Sequence, residues 1–309
     1  MDIRTVDYHT AGEPFRIVLD GVPPIPGATV RERREAAAAS AEIDAVRKLL
    51  CHEPRGHADM YGCFLVEPDD DGAAFGVLFW HKDGYSTACG HGTIALGRWA
   101  VESGRAKGPE VVIDVPSGRV VARVDDEGVA FGNVPARVVG RAVRAGNVEV
   151  DLAWGGALYA FVPAERFGLR VIPDDLPALI DAGRAVKAAL ADSEAVRHPT
   201  DDRLDGLYGT VLYENDGDGE RNVTVFADGE VDRSPCGSAT SARTALRAAD
   251  GATDAWTNTS IIGTIFQAAL LGETPEGLLT EVRGNAYKTG EHHFTLDPRD
   301  PLGTGFVLR

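Results

Sequence analysis

The chain predicts two similar α+β halves, each a curled, mostly antiparallel β-sheet around a helix, and three observations carry that expectation. Its 309 residues exceed one ordinary hydrophobic core and suit two domains of about 150 residues. The chain also repeats itself once. Sliding by 144 residues places Gly12 on Gly156, Phe15 on Tyr159, Ile17 on Phe161 and Val18 on Val162. Further on, Cys89-Gly90-His91-Gly92-Thr93-Ile94-Ala95 matches Cys236-Gly237-Ser238-Ala239-Thr240-Ser241-Ala242 as CGxxTxA at an offset of 147.

The elements follow in the same order in each half. Segments opening at Val6-Asp7 and Val150-Asp151 alternate apolar residues, break at a glycine and resume, which reads as a hairpin or a bulged strand. Strand-like runs Gly76 to Trp80 and Val223 to Phe226 precede the two cysteine motifs. After the first motif, Ile94, Leu96, Trp99 and Ala100 recur at helical spacing until Gly104; after the second, Ala242, Ala245, Leu246 and Ala249 do so until Gly251. Short strands are expected next: Val111 to Val115, Val120 to Val124 and Val129 to Val134, then Ile261 to Leu271, Leu278 to Val282 and His293 to Leu296. Asp174 to Ser193 reads as an amphipathic helix, and Glu214 to Glu220 as a solvated acidic loop. With a boundary near Pro135 to Arg144, the halves are expected at residues 1–137, completed by the tail 298–309, and 138–297. A cleft between such halves is the expected ligand site.

Composition narrows the function. Apolar residues at 44% and charged residues at 25% are ordinary for a globular protein, so disorder is not expected. A formal charge of −16 disfavours nucleic acid and anionic membranes as partners. The charged start Met1-Asp2-Ile3-Arg4 does not read as a signal peptide, and Ile261 to Leu271 is too short to span a bilayer, so a cytoplasmic enzyme is expected. Cys51, Cys63, Cys89 and Cys236 form no CxxC pair and have no zinc-type histidine spacing, so thiols without a metal are expected.

A thiolate at a helix N-terminus meets N–H groups without intrahelical acceptors and the positive end of the dipole, which lowers its pKa from about 8.5. If two such helix ends face one ligand, a carboxylate can accept hydrogen bonds from Gly90 and His91 on one side and from Gly237 and Ser238 on the other. One thiolate can then take the α-proton while the opposite thiol delivers another, inverting configuration. The same donors stabilise charge growing on the carboxylate, with no metal or pyridoxal phosphate required. A lone cysteine is more often a packed small hydrophobe. Two in matching strand–turn–CG–helix contexts reverse that preference, whereas Cys51 and Cys63 lack the context and are expected in the core.

At these residues the chain resembles the proline racemase family, which also includes hydroxyproline 2-epimerases and trans-3-hydroxy-L-proline dehydratases. The matching segments are HTAGEP at His9 to Pro14, EPRGHADMYG at Glu53 to Gly62, GYSTACGHGTIALG at Gly84 to Gly97, DRSPCGSATSAR at Asp232 to Arg243 and DPLGTGF at Asp300 to Phe306. The resemblance implies a diaminopimelate-epimerase-like fold, a two-base mechanism without cofactor and a homodimer. It makes Cys89 and Cys236 the acid/base pair, sets His91 and Asp232 beside the thiols, and assigns Gly90, Gly237 and Ser238 to the substrate carboxylate. Tyr61 and Phe226 fall where the family walls the ring pocket, though they read equally well as core aromatics.

Three departures bear on the substrate. Ala11-Gly12 stands where relatives often have Gly-Gly, and Ala88 where they often have Met. The spelling around Cys89 resembles the 3-hydroxyproline dehydratase branch, but that branch usually carries Thr where this chain has Cys236. Dehydration needs one base, whereas inversion needs a donor on each face, so retention of Cys236 favours a racemase or epimerase of proline or hydroxyproline. A dehydratase of the same fold, and a non-catalytic binding or thiol redox module, are the alternatives. His57 reads as a loop-stabilising hydrogen-bond partner or a substrate contact, and Arg55 as a clamp on a carboxylate or carbonyl. His292 and His293 face opposite sides of a strand, so no metal is expected there.

Overall fold

A computed structural model describes residues 1–308. The chain divides into two compact units, Met1–Val129 joined by the segment from Asn285 onward, and Ala130–Gly284. The first unit begins with β1 (Asp2–Thr10) and β2 (Glu13–Asp20), then α1 (Val30–Ala39) and α2 (Ala41–Cys51), then β3 (Gly62–Val66), β4 (Phe75–His81) and β5 (Gly84–Tyr85). After α3 (Gly90–Glu102) come β6 (Glu110–Val115) and β7 (Gly118–Asp125), and β8 (Gly128–Gly132) carries the chain across the boundary. The second unit contains β9 (Arg137–Ala145), β10 (Val148–Trp154), β11 (Leu158–Pro163), α4 (Leu176–Leu190), β12 (Leu207–Asp216), β13 (Gly219–Phe226) and β14 (Glu230–Asp232). It continues through α5 (Gly237–Ala249), β15 (Trp256–Ser260), β16 (Ile265–Thr274) and β17 (Gly277–Gly284), and β18 (Ala286–Thr295) returns to the first unit.

The strand pairings repeat. In the first unit β1 pairs antiparallel with β18 and β2, β2 parallel with β3, β3 antiparallel with β4, and β4 antiparallel with β5 and parallel with β6. In the second, β10 pairs antiparallel with β9 and β11, β11 parallel with β12, β12 antiparallel with β13, and β13 antiparallel with β14 and parallel with β15. The expected α+β duplication is thus realised in the strand pairings, with α1 and α2 of the first unit standing where the second has α4. The chain rejoins the first unit at Asn285 rather than residue 298, because β18 pairs with β1 along its whole length, from Asp2↔Thr295 to Thr10↔Ala286.

The central strands of each unit, such as β4 and β11, bury both faces, and their two-residue period sorts side chains between them. In the second unit Leu158, Ala160, Val162, Leu212, Val223 and Val225 join the core under α4. Their neighbours Tyr159, Phe161 and Val211 pack with Ala239, Ala242 and Leu246 of α5. In the first unit Val18, Phe64, Leu78 and Trp80 join Ile43, Val46, Leu49 and Leu50 of α2 in one cluster.

The structure departs from three sequence expectations. Helices α1 and α2 were not anticipated: the alanine-rich α1 buries only Val30 and Ala37 and has a weak apolar stripe, whereas α2 carries a readable one in Ile43, Val46, Leu49 and Leu50. The start of α1 was legible: Thr29 accepts from the Glu32 N–H while the Glu32 carboxylate takes the Thr29 N–H, the reciprocal cap that T-x-x-E signals. Residues Ile261 to Leu271 are not one strand, since β15 turns at 261–264 before β16. The acidic stretch Glu214 to Glu220 is not wholly a solvated loop. Glu220 is buried and holds Arg243 at 2.8 Å and Arg247 at 2.9 Å, fastening β13 to α5.

Candidate active site

In the first unit β5 ends at Tyr85, a short turn follows, and Cys89 becomes the N-cap of α3 with φ −153° and ψ 104°. Its sulfur accepts the Gly92 N–H at 3.2 Å, so the thiol occupies the place of a capping oxygen. The Thr93 hydroxyl donates to the Cys89 carbonyl at 2.8 Å, and the Thr10 hydroxyl donates to the His91 carbonyl at 2.8 Å. His91 stands beside the sulfur, with Nδ1 at 3.4 Å and Nε2 at 3.6 Å. Its ring meets Tyr61 edge-on at 4.9 Å and Phe15 at 5.7 Å. Burial pulls the His91 pKa down to about 3, so the imidazole is neutral and contributes hydrogen bonding rather than positive charge. Tyr61 is itself fixed by a short hydrogen bond between its hydroxyl and that of Ser86.

In the second unit β14 leads through Arg233-Ser234-Pro235 to Cys236, the N-cap of α5. Asp232 accepts from the Ser234 N–H at 2.8 Å and hydroxyl at 2.7 Å, and the Ser234 oxygen accepts the Cys236 N–H at 3.0 Å. The Pro235 carbonyl accepts from Asn222 at 3.0 Å, Thr240 at 3.1 Å and Asn258 at 3.3 Å. The Pro235–Cys236 peptide is thereby pinned at both its oxygen and its nitrogen. That clamp holds Cys236 at φ 62°, a conformation non-glycine residues seldom adopt and one that costs about 1–3 kcal/mol.

The two cysteines share a topological position but not an environment. The Cys236 thiol donates toward the Tyr159 oxygen at 3.8 Å, and its side chain makes no capping hydrogen bond. Burial, then the neighbouring Asp232 carboxylate, push the Cys236 thiol up, against opposing help from the Ala239 N–H and the Tyr159 and Thr224 hydroxyls. Burial likewise raises the Asp232 carboxyl to about 6. The expectation that a thiol at a helix N-terminus has a lowered pKa is therefore corrected at Cys236, where burial and the Asp232 carboxylate push it up.

Gly90, Gly237 and Ser238 open their helices, where N–H groups have no acceptor within the helix. Ser238 is 1% exposed and its hydroxyl has no hydrogen-bond partner within the described residues. Phe226 stacks on Tyr208 at 5.7 Å, and Tyr208 meets Tyr159 edge-on at 5.6 Å, an aromatic cluster within the second unit.

The remaining sequence candidates have plain placements. Cys51 and Cys63 are fully buried; Arg47 approaches the Cys51 sulfur at 3.8 Å. His57 accepts the Asp59 N–H at 3.3 Å, and Arg55 reaches Asp300 and the Gly303 carbonyl, both at 3.3 Å. His292 approaches Asp7 and His293 approaches Asp2. Sequence reading missed Tyr159, Asn222, Ser234 and Asn258 as supports of Cys236. A stronger repeat signal was available: Tyr61-Gly62-x-x-Leu65-x-Glu67 and Tyr208-Gly209-x-x-Leu212-x-Glu214 stand 147 residues apart, the offset of the cysteines. Extending that register from the aromatics to the motifs would have exposed which supports differ between the halves.

A fold of two such units, each opening a helix with a cysteine, defines an enzyme class, and comparison with known proteins names it. The profile of the family described as Proline racemase matches residues 5–307, and the chain belongs to that family. A trans-3-hydroxy-L-proline dehydratase of Bacillus cereus is 40% identical over 98% of this chain and 97% of its own. A 3-hydroxyproline 2-epimerase of Burkholderia multivorans is 42% identical over 99% and 98%. Among solved structures, a hydroxyproline epimerase from Agrobacterium vitis with bound trans-4-hydroxy-L-proline superposes with a TM-score of 0.90 at 30% identity, covering 99% of this chain and 96% of its own. A phenazine biosynthesis protein of the PhzF family from Bacillus anthracis shares the fold at a TM-score of 0.59 and 12% identity.

Proposed function

We propose that this enzyme inverts the α-carbon of proline or a hydroxyproline, with Cys89 and Cys236 as its two acid/base groups. The observation that carries the reading is the equivalent strand–turn–cysteine–helix placement of the two thiols in duplicated units. One sulfur, as thiolate, takes the α-proton and becomes a thiol. The other, starting as a thiol, gives its proton to the opposite face and becomes a thiolate. Atoms and charge balance without a cofactor, and each turnover leaves the enzyme in the complementary protonation state.

Gly90, His91, Gly237 and Ser238 are the proposed carboxylate donors, which bind more tightly as negative charge builds in the transition state. His91 and Asp232 tune the adjoining thiols, and Tyr61 and Phe226 supply the apolar walls for a pyrrolidine ring. The bound ligand of the Agrobacterium vitis epimerase supports a pyrrolidine carboxylate as substrate. A cytoplasmic homodimer acting on free amino acids is the accompanying expectation.

The 40% identical dehydratase favours a second reading, in which one thiol removes the α-proton of trans-3-hydroxy-L-proline and the 3-hydroxyl leaves as water. Incubation in D2O with L-proline, trans-4-hydroxy-L-proline and trans-3-hydroxy-L-proline separates the two. Inversion gives α-deuterated epimers and requires both cysteines. Dehydration gives a cyclic imine that colours with aminobenzaldehyde, and persists in Cys236→Ser while vanishing in Cys89→Ser. No α-exchange with any of these substrates would remove the inversion reading.

A further inference from the structure

We propose that Tyr159 is a positioning residue for Cys236, accepting a hydrogen bond from the thiol and returning one to the thiolate, as the Gly92 N–H does for the sulfur of Cys89. The proposal deepens the acid/base reading of Cys236 and rests on it. Its basis is an asymmetry between the units. Cys89 has extended backbone and a capping hydrogen bond of 3.2 Å from Gly92. Cys236 sits at φ 62° and its sulfur does not take up the N-cap geometry of Cys89, although the Ala239 N–H, at the position matching Gly92, favours its anion.

A base role for Cys236 is opposed by what surrounds it. Asp232 of β14 places a carboxylate within hydrogen-bonding reach of the thiol, a rival to Tyr159 for its proton, with Arg233 partly offsetting the charge, and the site is buried. The groups facing the sulfur that favour its anion are the Thr224 hydroxyl of β13, the Ala239 N–H of α5 and the Tyr159 hydroxyl of β11. The Tyr159 oxygen stands 3.8 Å from the sulfur, a donor–acceptor contact between β11 and the start of α5. Tyr159 is 1% exposed, and its ring is held by Tyr208 and Phe161, so the hydroxyl has little freedom to turn away. Phe15 occupies the corresponding position of the first unit and packs against His91. A phenyl ring therefore satisfies the packing of the repeat, and the added oxygen of Tyr159 calls for another explanation: a donor for the neighbouring sulfur.

The test titrates Cys236 directly. In a Cys89→Ser background Cys51 and Cys63 remain fully buried, so iodoacetamide alkylation mapped by peptide mass spectrometry follows Cys236 against pH. Tyr159→Phe is expected to raise the apparent Cys236 pKa by about one unit, leaving about tenfold less thiolate at a pH below it. Replacing Tyr159 by 3-fluorotyrosine, a stronger donor of nearly the same shape, is expected to move the midpoint the other way. Unchanged midpoints in both variants would overturn the proposal, because a merely structural ring would tolerate both. Absence of turnover by the wild-type enzyme would remove the proposed activity, yet the titration would still decide the Tyr159–Cys236 contact.

Discussion

Gly92 shows how little latitude the first cysteine has. A Cβ at this position would stand 2.5 Å from the Phe15 ring and 2.8 Å from the Cys89 sulfur. The equivalent residue in the second unit is Ala239, whose helix opens from a cysteine of different backbone conformation. Gly92→Ala is expected to cost about 1–3 kcal/mol of stability by overpacking, measured by urea unfolding. It should also lower turnover by about tenfold or more, because the displaced sulfur no longer points along its capped direction. Wild-type turnover in a stable Gly92→Ala protein would show that the cap does not set the sulfur's position.

At the scale of elements, the junction between β14 and α5 is over-determined by three donors, two of them from other strands. Asn222 comes from β13, Asn258 from β15 and Thr240 from α5 itself, and all three converge on the Pro235 carbonyl. Asn258 also donates to the Thr240 hydroxyl at 2.8 Å, so its loss disturbs two of the three. Asn258→Ala is expected to destabilise the fold by about 1–3 kcal/mol, the cost of leaving buried polar groups unmade. It should release Cys236 from positive φ and reduce turnover by about tenfold while the circular dichroism spectrum stays native-like. A crystal structure of the variant with Cys236 still near φ 62° and unimpaired kinetics would separate the clamp from catalysis.

At the scale of the whole molecule, two buried titratable groups pull stability in opposite directions with pH. His91 falls to about 3 in the fold from an ordinary 6.5, so the unfolded chain takes up the proton first. Its contribution is full above pH 6.5 and is lost as pH falls toward 3. Asp232 rises to about 6 from 3.8, so the folded chain takes up the proton first. Its contribution is full below 3.8 and is lost as pH rises through 6. The two slopes offset each other between about pH 4 and 6. Urea unfolding across that range is expected to show Asp232→Asn losing stability on acidification and His91→Gln gaining it, each on the order of a few kcal/mol. Parallel pH slopes in the two variants would contradict this assignment.

Sequence alone determined the duplication, the α+β class and the two cysteine-opened helices. Those features rest on local signals: an apolar period, a glycine that stops a helix, and a motif repeated at constant spacing. Tertiary structure decided what surrounds each sulfur. Asn222, Ser234 and Asn258 are ordinary polar residues in the chain, and they become a clamp only when β13, the β14–α5 turn and β15 come together. The burial that raises the Cys236 thiol and lowers His91 is likewise a property of packing. Spacing along a chain specifies which residues share an element, whereas desolvation and hydrogen bonding depend on the neighbours that distant elements deliver. For that reason two motifs that share CGxxTxA could be recognised as a pair from their spacing, whereas the unequal desolvation of their surroundings emerges only on folding.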